Sequence, residues 1–287
     1  CRGVEEHLAL NMDILKDILS PTLRPQWVQA IAFLAMGGLF NFYVPPHEKL
    51  IPMIPDPQLS FPVGVQQFPE SLLFTIGYIL PIIFIFTISR FLDKNDFCIT
   101  ALALTQCIGL TMFSTTVAKK MAGRPRPCFY AMCGWEMNST GVGHCTAPKL
   151  QQWESRQSFP SGHSSFSMAG LSFLAMFLLE KCDQLQRPPR FLSALQLQVA
   201  QLCSLLPYAL AIWVAISRTT DYWHDYSDVL AGAVLGFALA RFSFGQRARI
   251  KGVLVEELKR DTRVISDSSD DPMLAHDSPN IRSNEIV

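Results

Sequence analysis

Three short clusters of the chain contain residue types that together could transfer a phosphoryl group. Their members are Lys119 and Arg126, then Ser161, Gly162 and His163, then Arg218, His224 and Asp228. A histidine can attack phosphorus, a carboxylate can orient it, and a second histidine can protonate the leaving oxygen. Cationic side chains and a helix N-terminus can hold the phosphate oxygens. The inventory therefore indicates phosphoryl transfer through a phosphohistidine.

Each cluster alone also has an ordinary structural explanation. Basic residues at a helix end often only anchor it at a membrane surface. Ser161 could simply cap a helix, and Pro160 and Gly162 could shape the turn before it. His224 and Asp228 are four residues apart, so on one helical face they could form a structural pair. Only their combination at one aqueous face favours catalysis.

Six uncharged stretches must position these clusters. Crossing a hydrocarbon core of about 30 Å takes about 20 apolar residues. The stretches cover residues 27–44, 71–89, 97–118, 164–179, 199–217 and 229–240. The last is long enough when its flanks are included, as a helix over 224–244 that holds Asp228 and Arg241 near its ends. We therefore predict an all-α polytopic membrane protein with six transmembrane helices, and an active site at the ends of helices 3 to 6.

Composition excludes several other classes of protein. Only 17% of the 287 residues are charged, and the formal net charge is zero. No basic patch of the kind that nucleic acid requires is visible, so we predict no nucleic-acid partner. Six apolar blocks also leave too little amphipathic sequence to wrap them in a soluble fold. The membrane is therefore the predicted environment.

The distribution of positive charge predicts the orientation in the membrane. Sixteen of the 24 Lys and Arg residues fall on the side that carries both termini. The positive-inside rule places this side in the cytosol and the three clusters on the lumenal or extracellular face. The sequon Asn138-Ser139-Thr140 lies on that same outer face and could be glycosylated. Plasma membrane and endoplasmic reticulum are both compatible with this topology.

We predict three segments: a cytosolic or interfacial segment over 1–26, a six-helix domain over 27–244, and a disordered cytosolic tail over 245–287. Residues 8–19 have an apolar face at helical spacing and could form an interfacial helix or an ordinary packing helix. In the outer loop, two of Cys128, Cys133 and Cys145 could form a disulfide. A zinc site with His144 is disfavoured, because no paired C-x-x-C spacing supports it.

The clusters fit three ordered motifs: K-x6-R-P beginning at Lys119, P-S-G-H beginning at Pro160, and S-R-x5-H-x3-D beginning at Ser217. This pattern resembles the type 2 phosphatidic acid phosphatase superfamily, also called lipid phosphate phosphatases, over about 27–244. The sequences of residues 56–62, 123–127, 158–165 and 217–222 are similar to those of the branch that includes diacylglycerol pyrophosphate phosphatases and phospholipid phosphatases 4 and 5.

The resemblance implies a role for each motif residue. His224 would be the nucleophile, Asp228 would orient it, and His163 would protonate the leaving group. The residues that would hold the phosphate are Lys119, Arg126, Ser161, Gly162 and Arg218. Arg124 and Lys120 are left outside this set as charges at the rim. The family uses no metal or other cofactor, and the sequence has no carboxylate cluster suited to Mg²⁺.

The implied substrate is a lipid phosphate in the bilayer, such as phosphatidic acid, lysophosphatidic acid or diacylglycerol pyrophosphate. Alternatives of the same fold are a non-catalytic membrane scaffold or a phosphatase for isoprenoid or soluble sugar phosphates. Relatives that have become scaffolds typically lose motif residues, whereas all are present here. The sequence makes no prediction of the oligomeric state.

Overall fold

The computed structural model describes residues 23–51, 56–93, 96–139, 141–187 and 193–269, with side chains up to Glu256. The described chain is mainly helical. Its elements are α1 Arg24–Tyr43, a 3₁₀ turn Pro57–Leu59, α2 Glu70–Leu92, α3 Asp96–Ala122, α4 Phe129–Cys133, β1 Trp135–Met137, β2 Gly143–Cys145, α5 Lys149–Ser155, α6 Gly162–Gln186, α7 Ala194–Cys203, α8 Leu206–Thr220 and α9 Tyr226–Ser269.

Five helical segments of this part of the chain are long and apolar enough to cross a membrane. They are α2, α3, α6, the stretch Ala194–Thr220 that contains α7, α8 and the turn between them, and Tyr226–Glu256 of α9. The first predicted span forms the 20-residue helix α1 but is not among these five. Its polar residues Arg24, Gln26 and Asn41 lower its mean hydropathy. The membrane character is confirmed, and the count of six remains a prediction.

Helices α3 and α6 lie at the centre of the bundle. In each, 67% of the most apolar 18-residue segment is buried, against 22–28% of the corresponding segment in the other three spans. The outer spans expose large apolar side chains, among them Ile83, Trp213 and Leu230. Such extensive apolar exposure is unusual on a soluble protein, and it suits a surface in contact with lipid.

Prolines shape two of the outer spans. Pro81 lacks the N–H group that would bond to the preceding turn, and α2 widens into a π-helical turn at Thr75–Ile79 just before it. Pro207 lies in the first turn of α8, and the helical structure is interrupted between α7 and α8 at Ser204 and Leu205. The predicted fifth span over 199–217 is thus two helices.

Close packing of α9 against α6 brings the third motif to the second. A Cβ atom added at Gly232 would lie 2.4 Å from the carbonyl oxygen of Ser161, and one at Gly236 would lie 2.2 Å from that of Ser165. Real Cβ atoms do not approach so closely, so any side chain at either position would push the helices apart. The start of α9 is therefore fixed beside the start of α6.

A buried charge cluster ties the same helices together at the other end of the bundle. Asp96 accepts hydrogen bonds from Lys181 at 2.5 Å and from Arg247 at 2.7 Å. Arg247 also donates to Glu180 and to Thr100. Because Lys181 follows Gly162 by nineteen positions, the cluster lies about 28 Å from the start of α6. It therefore stabilises the bundle without touching the motif residues.

The loop between α3 and α6 contains a hairpin closed by a disulfide. Strands β1 and β2 pair antiparallel, and Cys133 is bonded to Cys145. Of the three candidate cysteines, Cys128 is left as a buried free thiol. The disulfide occupies two of the sulfur atoms that the disfavoured zinc site would need. Asn138 is exposed at the turn of the hairpin.

Helix α9 continues through Gly245, where we predicted a disordered tail to begin, and ends at Ser269. Residues 246–260 are rich in Arg, Lys, Glu, Leu and Ala, all strong helix formers, so their charge does not prevent a helix. By its internal contacts the chain separates into one unit that ends at Arg247 and a second that begins at Ala248. The predicted helix over 8–19 and residues 270–287 lie outside the described ranges.

Candidate active site

The three motifs meet at one end of the bundle, as the alternation of helix direction predicted. The loop after α3 contacts the start of α9, where Arg124 donates to Asp228 at 2.6 Å. The same loop contacts the α8–α9 turn, where Arg126 lies 3.1 Å from His224. The segment before α6 joins them, because Ser158 donates to Asp228 at 2.6 Å.

Asp228 is the residue on which all three motifs converge. Its side chain is fully buried. Oδ2 accepts hydrogen bonds from the Ser158 hydroxyl at 2.6 Å and from the Asp225 amide at 3.0 Å. Its backbone carbonyl accepts from the Ser161 amide at 2.9 Å. A carboxylate with so many donors remains ionised in a buried position and has one defined orientation.

His224 lies in the turn before α9 and not on the helix itself, because α9 begins at Tyr226. The predicted helical face shared by His224 and Asp228 is therefore wrong. Their side chains are nevertheless neighbours, with Nδ1 of His224 3.8 Å from Oδ2 of Asp228. This separation exceeds a hydrogen bond, and Nδ1 has no partner among the described residues.

Charge and burial favour a neutral His224. A guanidinium group can only donate, so Nε2 of His224 accepts from Nη1 of Arg126, and we assign the proton to Nδ1. Burial, followed by the positive charge of Arg126, lowers the pKa of His224 well below its usual value, although Asp228 opposes this. The imidazole thus has a lone pair on Nε2, as a nucleophile requires.

Arg126 is held on several sides. Its Nε donates to the backbone carbonyl of Glu154 at 2.9 Å, and its Nη2 contacts the Glu154 carboxylate. Its Nη1 also donates to the carbonyl of Trp223 at 3.2 Å, and its guanidinium lies 5.0 Å from the centre of the indole ring. These contacts fix the plane of the guanidinium.

Glu154 is a site residue that the sequence analysis missed. It lies on the seven-residue helix α5, outside every motif, so no spacing signalled it. Burial alone would raise the pKa of its carboxyl, but Arg126 and Lys119 outweigh burial and hold that pKa below its usual value. Glu154 is therefore ionised, and it balances part of the positive charge of the site.

Lys119 lies against the start of α6. A Cβ atom added at Gly162 would be 3.6 Å from Nζ of Lys119, so the absence of a side chain leaves room beside the ammonium group. Ser161 is the N-cap, and its hydroxyl accepts from the amide of Ser164 at 3.4 Å. Ammonium group and helix N-terminus together form a positive surface suited to an anion.

His163 follows Gly162 in the first turn of α6. Its Nε2 lies 2.9 Å from the carbonyl oxygen of Phe68, and because a carbonyl can only accept, this nitrogen carries a proton. A cavity of about 430 Å³ opens beside His163 and Lys119. Leu73, Phe74, Met112 and Phe166 contribute apolar surface to the same cavity. Charged groups and apolar surface thus share one space.

Arg218 is completely buried near the end of α8. It donates to Asp221 at 2.5 Å and to Gln66 at 3.2 Å. Asp221 in turn accepts from the amide of Gln67 at 2.9 Å. The segment before α2 therefore holds the third motif, a contact that no sequence pattern predicted because the partners are about 150 positions apart.

Within the described ranges, no group of three or more His, Cys, Asp or Glu residues could hold a metal ion. The predicted independence of metal remains a prediction.

Comparison with known proteins agrees with the motifs. The profile of the PAP2 superfamily matches residues 100–251. A PA-phosphatase related-family protein of Dictyostelium discoideum is 35% identical over 74% of both chains. Diacylglycerol pyrophosphate phosphatase 1 of Saccharomyces cerevisiae is 30% identical over 71% of this chain and 72% of its own.

Lipid phosphate phosphatase 2 of Arabidopsis thaliana is 36% identical over 54% of this chain, and the match spans only about half, 52%, of that relative. No solved structure matches the chain. The profile match covers more than half of the sequence and includes every motif residue named above. On this basis, and on the extent of the Dictyostelium match, the chain belongs to the PAP2 superfamily.

Proposed function

We propose that this protein is a metal-independent lipid phosphate phosphatase that works through a phosphohistidine on His224. One observation carries the proposal: a buried neutral imidazole offers its Nε2 lone pair to the guanidinium of Arg126 beside the buried carboxylate of Asp228. A phosphate that binds Arg126 would therefore meet a nucleophile in the required protonation state. Phosphatase activity itself accords with the family and with the names of its relatives.

In the proposed first step, Nε2 of His224 attacks phosphorus while the phosphorus–oxygen bond to the lipid breaks. His163 enters this step as the imidazolium ion and gives one proton to the departing oxygen, which yields the lipid alcohol. Asp228 stabilises the positive charge that develops on the imidazole. In the second step water attacks phosphorus, the phosphorus–nitrogen bond breaks, and a proton from water returns to His163. Inorganic phosphate leaves.

The five proposed phosphate-binding residues act on the equatorial oxygens as negative charge spreads over them. These are Lys119, Arg126, Arg218, Ser161 and Gly162. Lys119 and the start of α6 are already adjacent, and Arg126 is fixed by Glu154 and Trp223. Groups fixed before the reaction need little reorganisation when charge develops. This arrangement supports electrostatic stabilisation as the main catalytic term.

The proposed substrates are phosphatidic acid, lysophosphatidic acid and diacylglycerol pyrophosphate. Two observations support a lipid. The cavity beside Lys119 and His163 includes apolar surface, and the site lies at the ends of apolar helices, which would meet a lipid headgroup if these helices cross the bilayer. Relatives are named lipid phosphate phosphatase and diacylglycerol pyrophosphate phosphatase.

We further propose six spans, with α1 as the first, both termini in the cytosol, and the site on the lumenal or extracellular face of the plasma membrane or endoplasmic reticulum. The disulfide between Cys133 and Cys145 supports this orientation, because disulfides persist in oxidising compartments. If Asn138 faces the lumen, wild-type protein from eukaryotic cells should lose apparent mass after glycosidase treatment. Asn138→Gln should not. Modification of a peptide tag inserted in the hairpin by an enzyme confined to the cytosol would contradict the orientation.

Phosphate release in excess EDTA tests the proposed function. Detergent-solubilised protein should release phosphate from phosphatidic acid and diacylglycerol pyrophosphate but not from glucose 6-phosphate. His224→Ala should be inactive, whereas His144→Ala, at an exposed position of β2, should match the wild type. Preference for glucose 6-phosphate would overturn the lipid assignment, and loss of all activity in EDTA would overturn independence of metal.

A further inference from the structure

Arg124 makes three hydrogen bonds to the third motif, whereas Arg126 of the same loop makes two. Its Nη1 donates to Oδ1 of Asp228 and to the hydroxyl of Ser227, both at 2.6 Å. Its Nη2 donates to Oδ2 of Asp225 at 2.5 Å. One guanidinium thus bridges three of the four residues from Asp225 to Asp228.

These contacts distinguish Arg124 from a charge at the rim of the site, which is what its position two residues before Arg126 had indicated. A solvated surface arginine gains little from an ion pair. The Asp228 carboxylate, however, is completely buried. A buried carboxylate is costly without a charged partner, and Arg124 is the only basic side chain within ion-pair distance of it among the described Lys and Arg residues.

The two oxygens of Asp228 have different partners. Ser158 and the Asp225 amide bind Oδ2, which faces His224, whereas Arg124 binds Oδ1. A carboxylate bound on one oxygen alone can rotate about its last torsion, and the second contact prevents this rotation. The other charged groups around the pair are Arg126 and Lys119 next to His224, and Asp225 next to Arg124.

We propose that Arg124 is a positioning residue of the phosphatase, which orients Asp228 toward the nucleophile and does not touch the substrate. The hydrogen bonds of the Arg124 guanidinium go to Asp225, Ser227 and Asp228, and none goes to a proposed phosphate-binding residue among the described residues. Its loss should therefore lower kcat and leave KM nearly unchanged. This inference rests on the proposed roles of His224 and Asp228.

The size of the effect follows from comparable residues. Outer groups that orient a functional side chain typically change activity by about 10- to 100-fold when they are replaced. We expect Arg124→Ala to lower kcat within this range, with KM within about 3-fold of wild type. Arg124→Lys should recover part of kcat, since an ammonium group keeps one charged hydrogen bond but cannot reproduce the paired donors Nη1 and Nη2 of the guanidinium. Arg156→Ala is the matched control, because Arg156 bonds to the Lys49 carbonyl and not to Asp228.

A double-mutant cycle with Asp228→Asn tests the route of action. If Arg124 works through Asp228, Arg124→Ala should reduce kcat much less in the Asp228→Asn protein than in the wild type. Multiplicative effects of the two changes, or a rise in KM with unchanged kcat, would overturn the proposal. If Arg124→Ala does not fold, as judged by its thermal melt, Arg124→Lys and Arg124→Gln replace it in the cycle.

The controls separate this inference from the proposed function. An Arg124→Ala protein with wild-type kcat, beside an inactive His224→Ala protein, would contradict only the role of Arg124. An active His224→Ala protein would contradict the proposed mechanism and with it the role of Arg124. Phosphate release from phosphatidic acid is the assay in every arm.

Discussion

Nη1 of Arg126 lies 3.1 Å from Nε2 of His224. Arg126, which we propose binds the phosphate, therefore donates a hydrogen bond to the lone pair of the proposed nucleophile. A substrate phosphate must therefore take this donor away from the imidazole as it binds. The exchange places an oxygen on the guanidinium and frees Nε2 in the same event. Binding and exposure of the nucleophile are thereby coupled through one side chain.

The buried neutral state of His224 predicts a pH dependence of stability. In the unfolded chain the pKa of His224 returns to about 6.5, whereas burial and Arg126 hold it well below that in the folded protein. Below about pH 6.5 the unfolded state binds more protons, so the free energy of unfolding falls as pH drops. Thermal melts should therefore show a smaller loss of Tm on acidification in His224→Gln than in wild type. His144→Gln should keep the wild-type slope, and an unchanged slope in His224→Gln would contradict the assignment.

Replacement of the neighbouring residues Lys119 and Lys120 should have different effects on kcat/KM. Lys119 lies beside Gly162 in the cavity, whereas the ammonium group of Lys120 lies 5.4 Å from the centre of the Trp153 ring. Lys119→Ala should lower kcat/KM by roughly 10²- to 10³-fold, as the loss of one donor to a developing oxyanion does. Lys120→Ala should lower kcat/KM by less than about 30-fold, because a cation–π contact contributes only about 0.5–2 kcal/mol. Equal losses would contradict the placement of Lys119.

The hairpin disulfide predicts an unusual pattern of additivity. Cys133→Ser and Cys145→Ser should each lower the Tm, since a crosslink over a loop of this size contributes about 3 kcal/mol. The double variant should be no less stable than either single variant, because both remove the same bond. Cys203→Ser, at an exposed free thiol, is the control. Summed losses in the double variant would show that the two cysteines act separately.

Disrupting the buried charge cluster should lower the stability of the protein and leave the active site of the folded protein intact. Asp96→Asn would leave Lys181 and Arg247 buried near a neutral amide, and breaking a buried ion pair costs about 3–5 kcal/mol. The Tm in detergent should fall, while KM of the folded fraction stays unchanged. Asp183→Asn, at an exposed position of the same end of α6, should have little effect on either quantity. A stable Asp96→Asn protein would contradict the structural role of the cluster.

The sequence predicted which residues lie close together at the candidate site. Lys119, Arg126, His163, His224 and Asp228 were named from their chemistry and motif spacing, and the structure brings them to one end of the bundle. Their proximity could be predicted because each motif adjoins the end of an apolar helix, and helix direction alternates in a membrane. Family membership was confirmed on the same residues.

The partners of those residues could not be found in this way. Glu154 reaches Arg126 from α5, and Gln66 reaches Arg218 from the segment before α2, so these contacts depend on loop paths that no periodicity specifies. The contact of Arg124 with Asp228 could not be predicted for a related reason, since the two residues are 104 positions apart. The continuation of α9 past Gly245 was missed because charge was given more weight than helix propensity.

Trapping of the phosphoenzyme tests the central claim most directly. Wild-type protein is mixed with phosphatidic acid carrying a ³²P-labelled phosphate, and the reaction is quenched within one turnover. The protein is then digested, and the labelled peptide is identified. We expect a label on His224 that is stable in base and labile in acid, and that is absent from His224→Ala. A label on another residue, or phosphate release by His224→Ala at the wild-type rate, would contradict it.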